Sequence, residues 1–291
     1  MREKPIRIAL PNKGRLAKRS LELFEQAGLK PAFRADRALV ASLGEDFQAI
    51  FARPADIPEY IADGAAEIGV TGADLIAESQ RDIVDMLDLR FGKCRLVVAV
   101  EEDSDINFSK DLPPGTRVAT SFPRCSLDYF ESLGIPIEIA KVSGSTEIAP
   151  HLGVSDVIVD LTSTGSTLRV HGLKEIDTIL HSSSRLVASR AALSNPQISR
   201  MIEELSIALE SVLRAREKRY LMANVPRENL SEVREVLPGL SGPTIVEVLD
   251  SGSWVAAHGV VGADLVYETI TRLKNLGAEG ILVTQIERLV P

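Results

Sequence analysis

The sequence predicts an α/β protein in which two strand–helix lobes precede a small C-terminal α+β domain. Short β-branched runs alternate with segments of helical spacing through the first two-thirds of the chain. The strand–loop–helix pattern occurs in both halves of that part, which indicates two lobes with a ligand cleft between them. A long amphipathic segment then leads into elements in the order β-α-β-β-α-β, the ferredoxin-like order.

Hydrophobic periodicity and turn residues place the elements of the first lobe. A strand at 6–10 and a short loop lead into a helix over 15–27, which Gly28 closes. Two strands follow at 37–43 and 47–52, and then a helix at 56–63. A strand at 66–72 ends in a glycine turn, a second helix starts at 74, and an apolar strand covers 95–100.

The turn Pro113-Pro114-Gly115 opens the second set of elements. Strands are predicted at 117–120, 137–142, 157–160, 176–180 and 186–188, and helices at 126–133 and from 146 onward. This alternation favours parallel sheets. A long helix over 195–219 precedes the C-terminal elements. These are strands at 220–224, 244–249, 254–261 and 280–286, with helices at 228–236 and 263–276.

Segment 155–168 carries the strongest functional signal. An apolar β-branched run ends at Asp160, and residues 162–167 supply five hydroxyls and one glycine before a helix start. Backbone N–H groups at a helix N-terminus attract anions, and hydroxyls add donors. A carboxylate beside them is suited to accepting hydrogen bonds from sugar hydroxyls. The segment predicts a sugar-phosphate site; an ordinary N-capped helix is the alternative interpretation.

Composition and charge exclude several classes of protein. The 291 residues are 45% hydrophobic and 25% charged, which is normal for a soluble globular protein. The net charge of −8 argues against nucleic acid or an anionic membrane as the main partner. No apolar run approaches the ~20 residues of a membrane span, and the start lacks a signal core, so we expect a cytoplasmic protein.

A basic cluster stands out against this acidic background. Among the first nineteen residues, seven are basic, and we interpret Lys18 and Arg19 as a solvated helix face. The others fit a small anionic ligand. The two cysteines, Cys94 and Cys125, indicate plain thiols rather than a disulfide or zinc site, and the four histidines show no ligand spacing.

Seven motifs, in order along nearly the whole chain, resemble the long form of ATP phosphoribosyltransferase, the first enzyme of histidine biosynthesis. They are ALPNKGRL at 9–16, GVTGAD at 69–74, FGKCRL at 91–96, VATSFP at 118–123, GSTEIAP at 144–150, DLTSTGSTL at 160–168 and GPTI at 242–245. Each motif is weak alone, and the ordered set is specific.

The resemblance implies a two-lobed, periplasmic-binding-protein-like catalytic unit with an ACT-like regulatory domain of ferredoxin-like order. Lobe I would comprise 1–97 and 177–216, lobe II 98–176, and the regulatory domain 217–291. It also implies transfer of the phosphoribosyl group of phosphoribosyl pyrophosphate to N1 of ATP, with release of pyrophosphate.

Site residues follow from the same resemblance. Those expected to bind phosphoribosyl pyrophosphate are Glu147, Asp160, Thr162, Ser163, Thr164, Gly165, Ser166 and Thr167. Those expected to bind ATP are Lys13, Arg15, Thr71, Gly72, Asp74, Ser121 and Phe122. Arg15, Arg37 and Asp160 are the candidate catalytic residues.

Two of these assignments, and a possible role of Arg95, have structural alternatives. Arg37 fits a strand-edge salt bridge, and Phe122 fits a packing role beside Pro123. Arg95 either contacts substrate or pairs with an acid.

Metal, effector and assembly are also implied by the resemblance. We expect Mg²⁺ to arrive on the substrate diphosphate rather than on a protein motif. We expect L-histidine to inhibit through Asn224 and Thr244, and the protein to form homodimers and homohexamers. Asn224 stands where some relatives carry an acid, and Asp250 is a candidate to compensate.

Three rival interpretations are weaker. Purine-salvage phosphoribosyltransferases place two adjacent acids before the hydroxyl loop, whereas Leu161 follows Asp160 here. Prephenate dehydratases carry a catalytic Thr-Arg-Phe motif, and this chain has no such motif before its C-terminal module. A two-lobed small-molecule sensor without catalysis shares the cleft architecture and is the alternative from a different class.

Overall fold

The computed structural model describes residues 4–33, 39–142, 144–240, 242–248 and 252–290, without the side chains of Arg15 and Phe33. The chain forms two compact units. The first comprises residues 1–25 and 29–203, and the second comprises residues 26–28 and 204–291.

The first unit contains two sheets, of which the first has seven strands. These are β1 (Ile6–Pro11), β2 (Ala32–Phe33), β3 (Val40–Leu43), β4 (Phe47–Ala52), β5 (Ile68–Gly72), β6 (Ile83–Asp88) and β12 (Ser184–Ser189), in the spatial order β2-β3-β4-β1-β5-β12-β6. The helices that follow these strands are α1 (Gly14–Gln26), α2 (Ile57–Ala62), α3 (Ala73–Ser79), α6 (Arg190–Ser194) and α7 (Pro196–Arg216).

The second sheet of this unit has five strands in the order β11-β7-β10-β8-β9. They are β7 (Cys94–Glu101), β8 (Thr116–Thr120), β9 (Ile137–Lys141), β10 (Val157–Thr162) and β11 (Leu173–Ser182), with helices α4 (Pro123–Ser132) and α5 (Ser166–Val170). The chain crosses between the two sheets twice, after β6 and after β11. The first unit therefore has two lobes, as predicted.

The second unit confirms the ferredoxin-like order. Its elements after α7 are β13 (Lys218–Pro226), α8 (Leu230–Val236), β14 (Thr244–Glu247), β15 (Trp254–Gly262), α9 (Val266–Asn275) and β16 (Glu279–Gln285). Its antiparallel sheet has the order β14-β15-β13-β16. Helices α8 and α9 supply Val233, Val236 and Leu273 to a core with alternate residues of β13 and β15.

Several expectations need correction. The sheets are mixed rather than parallel, because β12 runs antiparallel to β5 and β7 runs antiparallel to β10. Strand β6 was not predicted, since its sequence IVDMLD carries two acids. The predicted helix over 195–219 ends at Arg216, because Lys218 already pairs with Gly262.

The proposed lobe boundaries also differ from the sheets. Residues 94–97 and 177–182, expected in lobe I, lie in β7 and β11 of the second sheet. The second compact unit takes in the chain from Glu204 onward, within α7, and the predicted domain boundary at 217 stays a prediction. Among the described residues, no helix is long and apolar enough to cross a bilayer.

The core of the second lobe generates a stability prediction. Phe130 on α4 is fully buried among strand residues such as Val98 and Val159, and its ring meets Tyr129 edge-on at 5.2 Å. We expect Phe130→Ala to lower the free energy of unfolding by about 3–5 kcal/mol, because it removes packed apolar surface and leaves a cavity. Denaturant unfolding followed by circular dichroism measures the loss.

Leu152→Ala is the matched control, since the Leu152 side chain is 66% exposed in the same lobe. We expect it to change stability by less than about 0.5 kcal/mol. Equal effects of the two substitutions would contradict the packing described for the second sheet.

Candidate active site

Residues 162–167 run from the last residue of β10 into the first turn of α5 and form the predicted hydroxyl loop. The Thr162 hydroxyl accepts a hydrogen bond from the Gly165 N–H at 2.9 Å, and the Thr164 and Ser166 hydroxyls lie 2.9 Å apart. Within the described chain, the N–H groups of Ser163, Thr164 and Thr167 have no protein acceptor. Ser163, Thr164, Ser166 and Thr167 are exposed. The loop thus presents hydroxyls and unpaired N–H donors to solvent.

Gly165 makes this loop conformation possible. Its φ of +72° lies in the left-handed region, which strains residues that carry a Cβ. A Cβ at this position would lie 2.7 Å from the Glu175 Oε1 atom and 3.1 Å from Arg169 Nη1. The loop therefore needs glycine for its backbone, and the ends of the Glu175 and Arg169 side chains approach that backbone closely.

Arg95 pairs with an acid, which is one of the two alternatives that the sequence left open. Its Nη2 atom donates to both carboxylate oxygens of Glu175, at 2.8 and 2.7 Å, and its Nε donates to Oε2 at 3.1 Å. Its Nη1 lies 3.5 Å from the Ser163 carbonyl oxygen. Arg95 thus links β7 to β11 and to the hydroxyl loop.

Asp160 lies within β10, two residues before its end, rather than at the end of the strand. Burial raises the pKa of its carboxyl above the ordinary value, and the Glu147 charge acts in the same direction. The Leu161 N–H, at 2.7 Å, and the Thr146 hydroxyl oppose this rise in the pKa by stabilising the carboxylate. The helical turn that carries Thr146 and Glu147 therefore lies against β10 near Asp160.

The segment that carries Glu147 has an unusual backbone. Ser145 adopts a φ of +49°, and the helical turn Thr146–Ile148 follows it directly. A non-glycine residue in the left-handed region is uncommon and is found disproportionately at functional sites. This conformation places Thr146 and Glu147 beside Asp160.

A cavity of about 510 Å³ lies between the lobes of the first unit. It is lined from both sheets and from the two crossovers, by Leu16, Arg19, Gly72, Asp74, Leu75, Arg90, Phe91, Gly92, Lys93, Cys94, Leu161, Thr162, Ser163, Ser182, Ser183 and Ser184. Three basic residues and one acid are among them. Apolar walls with this charge balance fit an anionic ligand that carries a flat apolar ring.

Asp74 is the buried acid of this cavity, with 5% of its surface exposed. Ser182 donates its hydroxyl to Asp74 Oδ1 at 2.5 Å and accepts the Asp74 N–H at 3.1 Å. Burial raises the pKa of Asp74, and the Ser182 hydroxyl counteracts part of that shift. A Cβ on Gly72 would lie 2.1 Å from Asp74 Oδ1, so another residue at this position would displace the hydrogen-bonded carboxylate.

Other predicted residues are placed differently. Thr71 is buried and donates its hydroxyl to the Pro54 carbonyl oxygen at 2.9 Å, so its hydroxyl is used within the first lobe. Phe122 lies in the core of the second lobe at 5% exposure, which supports packing rather than contact with an adenine ring. Ser121 and Lys13 are exposed loop residues outside the cavity lining.

Two candidate catalytic residues cannot be placed. Arg37 and the possible effector ligand Asp250 lie outside the described residues, and the Arg15 side chain is not described. Arg15 itself belongs to the first turn of α1, next to Leu16 of the cavity wall.

Glu78 joins the two lobes beside the cavity. Its carboxylate accepts the N–H groups of Arg124 and Cys125, at 3.1 and 3.0 Å, at the start of α4. Arg124 in turn donates to the Ser79 carbonyl oxygen at 2.7 Å. Burial and Glu78 raise the pKa of Cys125 to about 12, so this thiol is protonated at neutral pH. The other cysteine, Cys94, lines the cavity.

Asn224 and Thr244 lie on the same face of the sheet in the second unit. Asn224 is opposite Ala256 and Thr244 is opposite His258 on the intervening strand β15, where these positions alternate with buried Val255 and Ala257. Both side chains are exposed. The two predicted effector residues therefore share the face that points away from α8 and α9.

Sequence reasoning missed several residues of the site. Arg19 lines the cavity, although a solvated face was expected, while Lys18 only approaches Glu22 at 3.8 Å on the surface. Ser182 belongs to a run of three serines that could have marked the crossover. Glu175 had no local signal, because its partner Arg95 lies 80 positions away.

Comparison with known proteins gives a consistent result. Residues 53–210 match the family model described as ATP phosphoribosyltransferase, and residues 215–288 match the model described as HisG, C-terminal domain. The ATP phosphoribosyltransferase of Gemmatimonas aurantiaca is 56% identical over 291 residues, covering 98% of this chain and 100% of that protein. The ATP phosphoribosyltransferase of Methanosarcina acetivorans is 48% identical over 292 residues, with the same coverage.

A solved structure supports the same conclusion. The ATP phosphoribosyl transferase (HisG:HisZ) complex from Thermotoga maritima matches with a TM-score of 0.62 and 28% identity, covering 70% of this chain and 98% of that chain. Together with the family models, which cover most of both units, these matches show that the chain belongs to the ATP phosphoribosyltransferase family, in its long form.

Proposed function

We propose that the cleft of the first unit transfers the phosphoribosyl group of phosphoribosyl pyrophosphate to N1 of ATP, with the hydroxyl loop holding the 5′-phosphate. The observation that carries this assignment is the loop itself, which presents unpaired N–H groups and four exposed hydroxyls beside a half-buried carboxylate. A sensor without catalysis is not favoured, because full-length relatives are named as transferases.

The residues divide the substrate between them. The loop binds the 5′-phosphate, while Asp160 and Glu147 accept hydrogen bonds from the ribose hydroxyls. As the bond from C1 to pyrophosphate breaks, positive charge develops on the ribose ring, and nearby carboxylates stabilise it. The electron pair leaves with pyrophosphate, and the N1 lone pair of adenine forms the new bond. Neutral N1 needs no general base, so positioning and charge carry the step.

The cavity fits the second substrate. Its basic lining residues Arg19, Arg90 and Lys93 suit phosphate oxygens, and Leu16, Leu75 and Phe91 supply apolar surface for a base. Asp74 and Gly72 are the two ATP-binding candidates that lie in this lining. We assign ATP to this side of the cleft.

Members of this family require a divalent metal ion, which we propose to be Mg²⁺. Among the described residues, no group of three or more His, Cys, Asp or Glu side chains could hold a metal. Mg²⁺ commonly binds one or two carboxylates together with substrate phosphates and water. The substrate diphosphate would supply most of the ligands of this ion, and the bound ion would neutralise charge on the departing diphosphate.

Regulation by L-histidine is a further part of the proposal, and it is supported by the common face of Asn224 and Thr244. An inhibitor acts at a distance only if it favours one of two states of the protein. Assembly into homodimers and homohexamers, in the cytoplasm, would provide such states.

Asp160→Asn tests the catalytic assignment. We expect kcat/KM for phosphoribosyl pyrophosphate to fall about 5- to 150-fold, equivalent to about 1–3 kcal/mol, because an isosteric amide no longer stabilises positive charge on the ribose. Pyrophosphate release measures the rate. Asp105→Asn, on an exposed loop of the same lobe, is the control and should leave the rate unchanged. Normal kinetics in a folded Asp160→Asn protein would remove Asp160 from the mechanism.

Asn224→Asp tests the effector face. We expect the added carboxylate to tighten inhibition by L-histidine about 5- to 10-fold, because it offers the effector's ammonium group a charged partner, worth roughly 1–1.5 kcal/mol. Titrating activity with histidine gives the inhibition constant. Asn107→Asp adds the same charge to an exposed loop of the first unit. An equal response in both variants, or none, would place the effector elsewhere.

A further inference from the structure

We propose that Arg95 and Glu175 form a positioning pair for the hydroxyl loop, in which Arg95 neutralises Glu175 so that the loop can accept a phosphate. The inference rests on the proposed function of that loop. It assigns to Arg95 an action on substrate through Glu175 rather than by direct contact.

The first observation is the completeness of the ion pair. Both Glu175 oxygens receive bonds from Arg95, and the remaining Arg95 nitrogen, Nη1, lies 3.5 Å from the Ser163 carbonyl oxygen. All three guanidinium nitrogens are thus directed to protein oxygens. Both side chains are about 70% buried, which limits screening by solvent and favours a fixed two-bond geometry.

The second observation is where Glu175 stands relative to the loop. Its Oε1 atom lies 2.7 Å from the position that a Cβ of Gly165 would take, so the carboxylate stands directly against the loop backbone. A carboxylate this close to the loop repels a bound phosphate unless a cation compensates it. Arg95 supplies that cation.

The third observation is how the two strands deliver the pair. Arg95 is opposite Thr162, the last residue of β10, and Glu175 comes from β11 on the other side of β7. A second guanidinium, that of Arg169, approaches the Thr164 carbonyl oxygen at 3.4 Å. With the Ser163 and Thr164 carbonyls each facing a cation, the loop can keep its N–H groups on the opposite side, toward an anion.

A double-mutant cycle tests the pair. The variants are Arg95→Met, Glu175→Gln and the double variant, and the readout is the Kd of phosphoribosyl pyrophosphate with Mg²⁺, measured by calorimetry without ATP. We expect Arg95→Met to weaken binding most, roughly 30-fold or more, because it removes the cation that is hydrogen-bonded to the carboxylate beside the phosphate. Glu175→Gln should weaken it about 3- to 10-fold, and the double variant should bind better than Arg95→Met alone.

Companion measurements separate positioning from folding. KM for ATP should change less than about twofold, because the pair faces the phosphate loop, and Arg95→Lys should recover part of the affinity that Arg95→Met loses. If Arg95→Met does not fold, Arg95→Gln replaces it in the cycle. Arg7 and Glu67 form a matched Arg–Glu pair in the first lobe, with Nη2 to Oε1 at 2.7 Å, and Arg7→Met with Glu67→Gln should leave the Kd unchanged.

The outcomes are distinct. Additive losses, with equal effects on ATP, would show a purely structural role and overturn the inference. A loss in Arg95→Met that Glu175→Gln does not relieve would mean that Arg95 binds the phosphate directly, which also overturns it. Failure of the unaltered protein to bind phosphoribosyl pyrophosphate would instead refute the proposed function of the loop.

Discussion

The cleft depends on the pairing of β7 with β11, which carry the chain into the second sheet and back out of it. These strands run antiparallel from Cys94 and Ser182 at one end to Glu101 and Leu173 at the other. Both crossovers between the sheets therefore lie side by side, and residues of each line the same cavity. The buried residues 96–100 of β7 hold this arrangement in the core of the second lobe.

The same pairing explains how the site combines opposite charges. Strand β7 lies between β10, which delivers Asp160 and the hydroxyl loop, and β11, which delivers Glu175. In the proposed reaction, positive charge forms on the sugar while an anion departs, and acids near the ribose with donors near the phosphate would stabilise both. In our proposal, Arg95 neutralises Glu175, which would otherwise repel the phosphate bound at the loop.

Local pattern in the sequence was enough for the two lobes, the ferredoxin-like order and the hydroxyl loop, because hydrophobic period and turn residues act over a few positions. Prediction from local pattern failed where contacts with distant segments determine the structure. Strand β10 continues past Asp160 because Arg95 and Leu96 pair with its last residues, and the buried position of Phe122 depends on packing in a core that several strands of the second sheet share. The partnership of Arg95 with Glu175 was equally invisible, since neither residue's neighbours indicate the other.

A crystal structure of the protein with phosphoribosyl pyrophosphate and Mg²⁺ tests the central claim most directly. The account predicts density for the 5′-phosphate against the N–H groups and hydroxyls of residues 163–167, with ribose hydroxyls at Asp160 and Glu147. It also predicts that Arg95 stays on Glu175 in the complex. A phosphoribosyl group bound elsewhere in the cleft, with residues 163–167 free of ligand, would contradict the account.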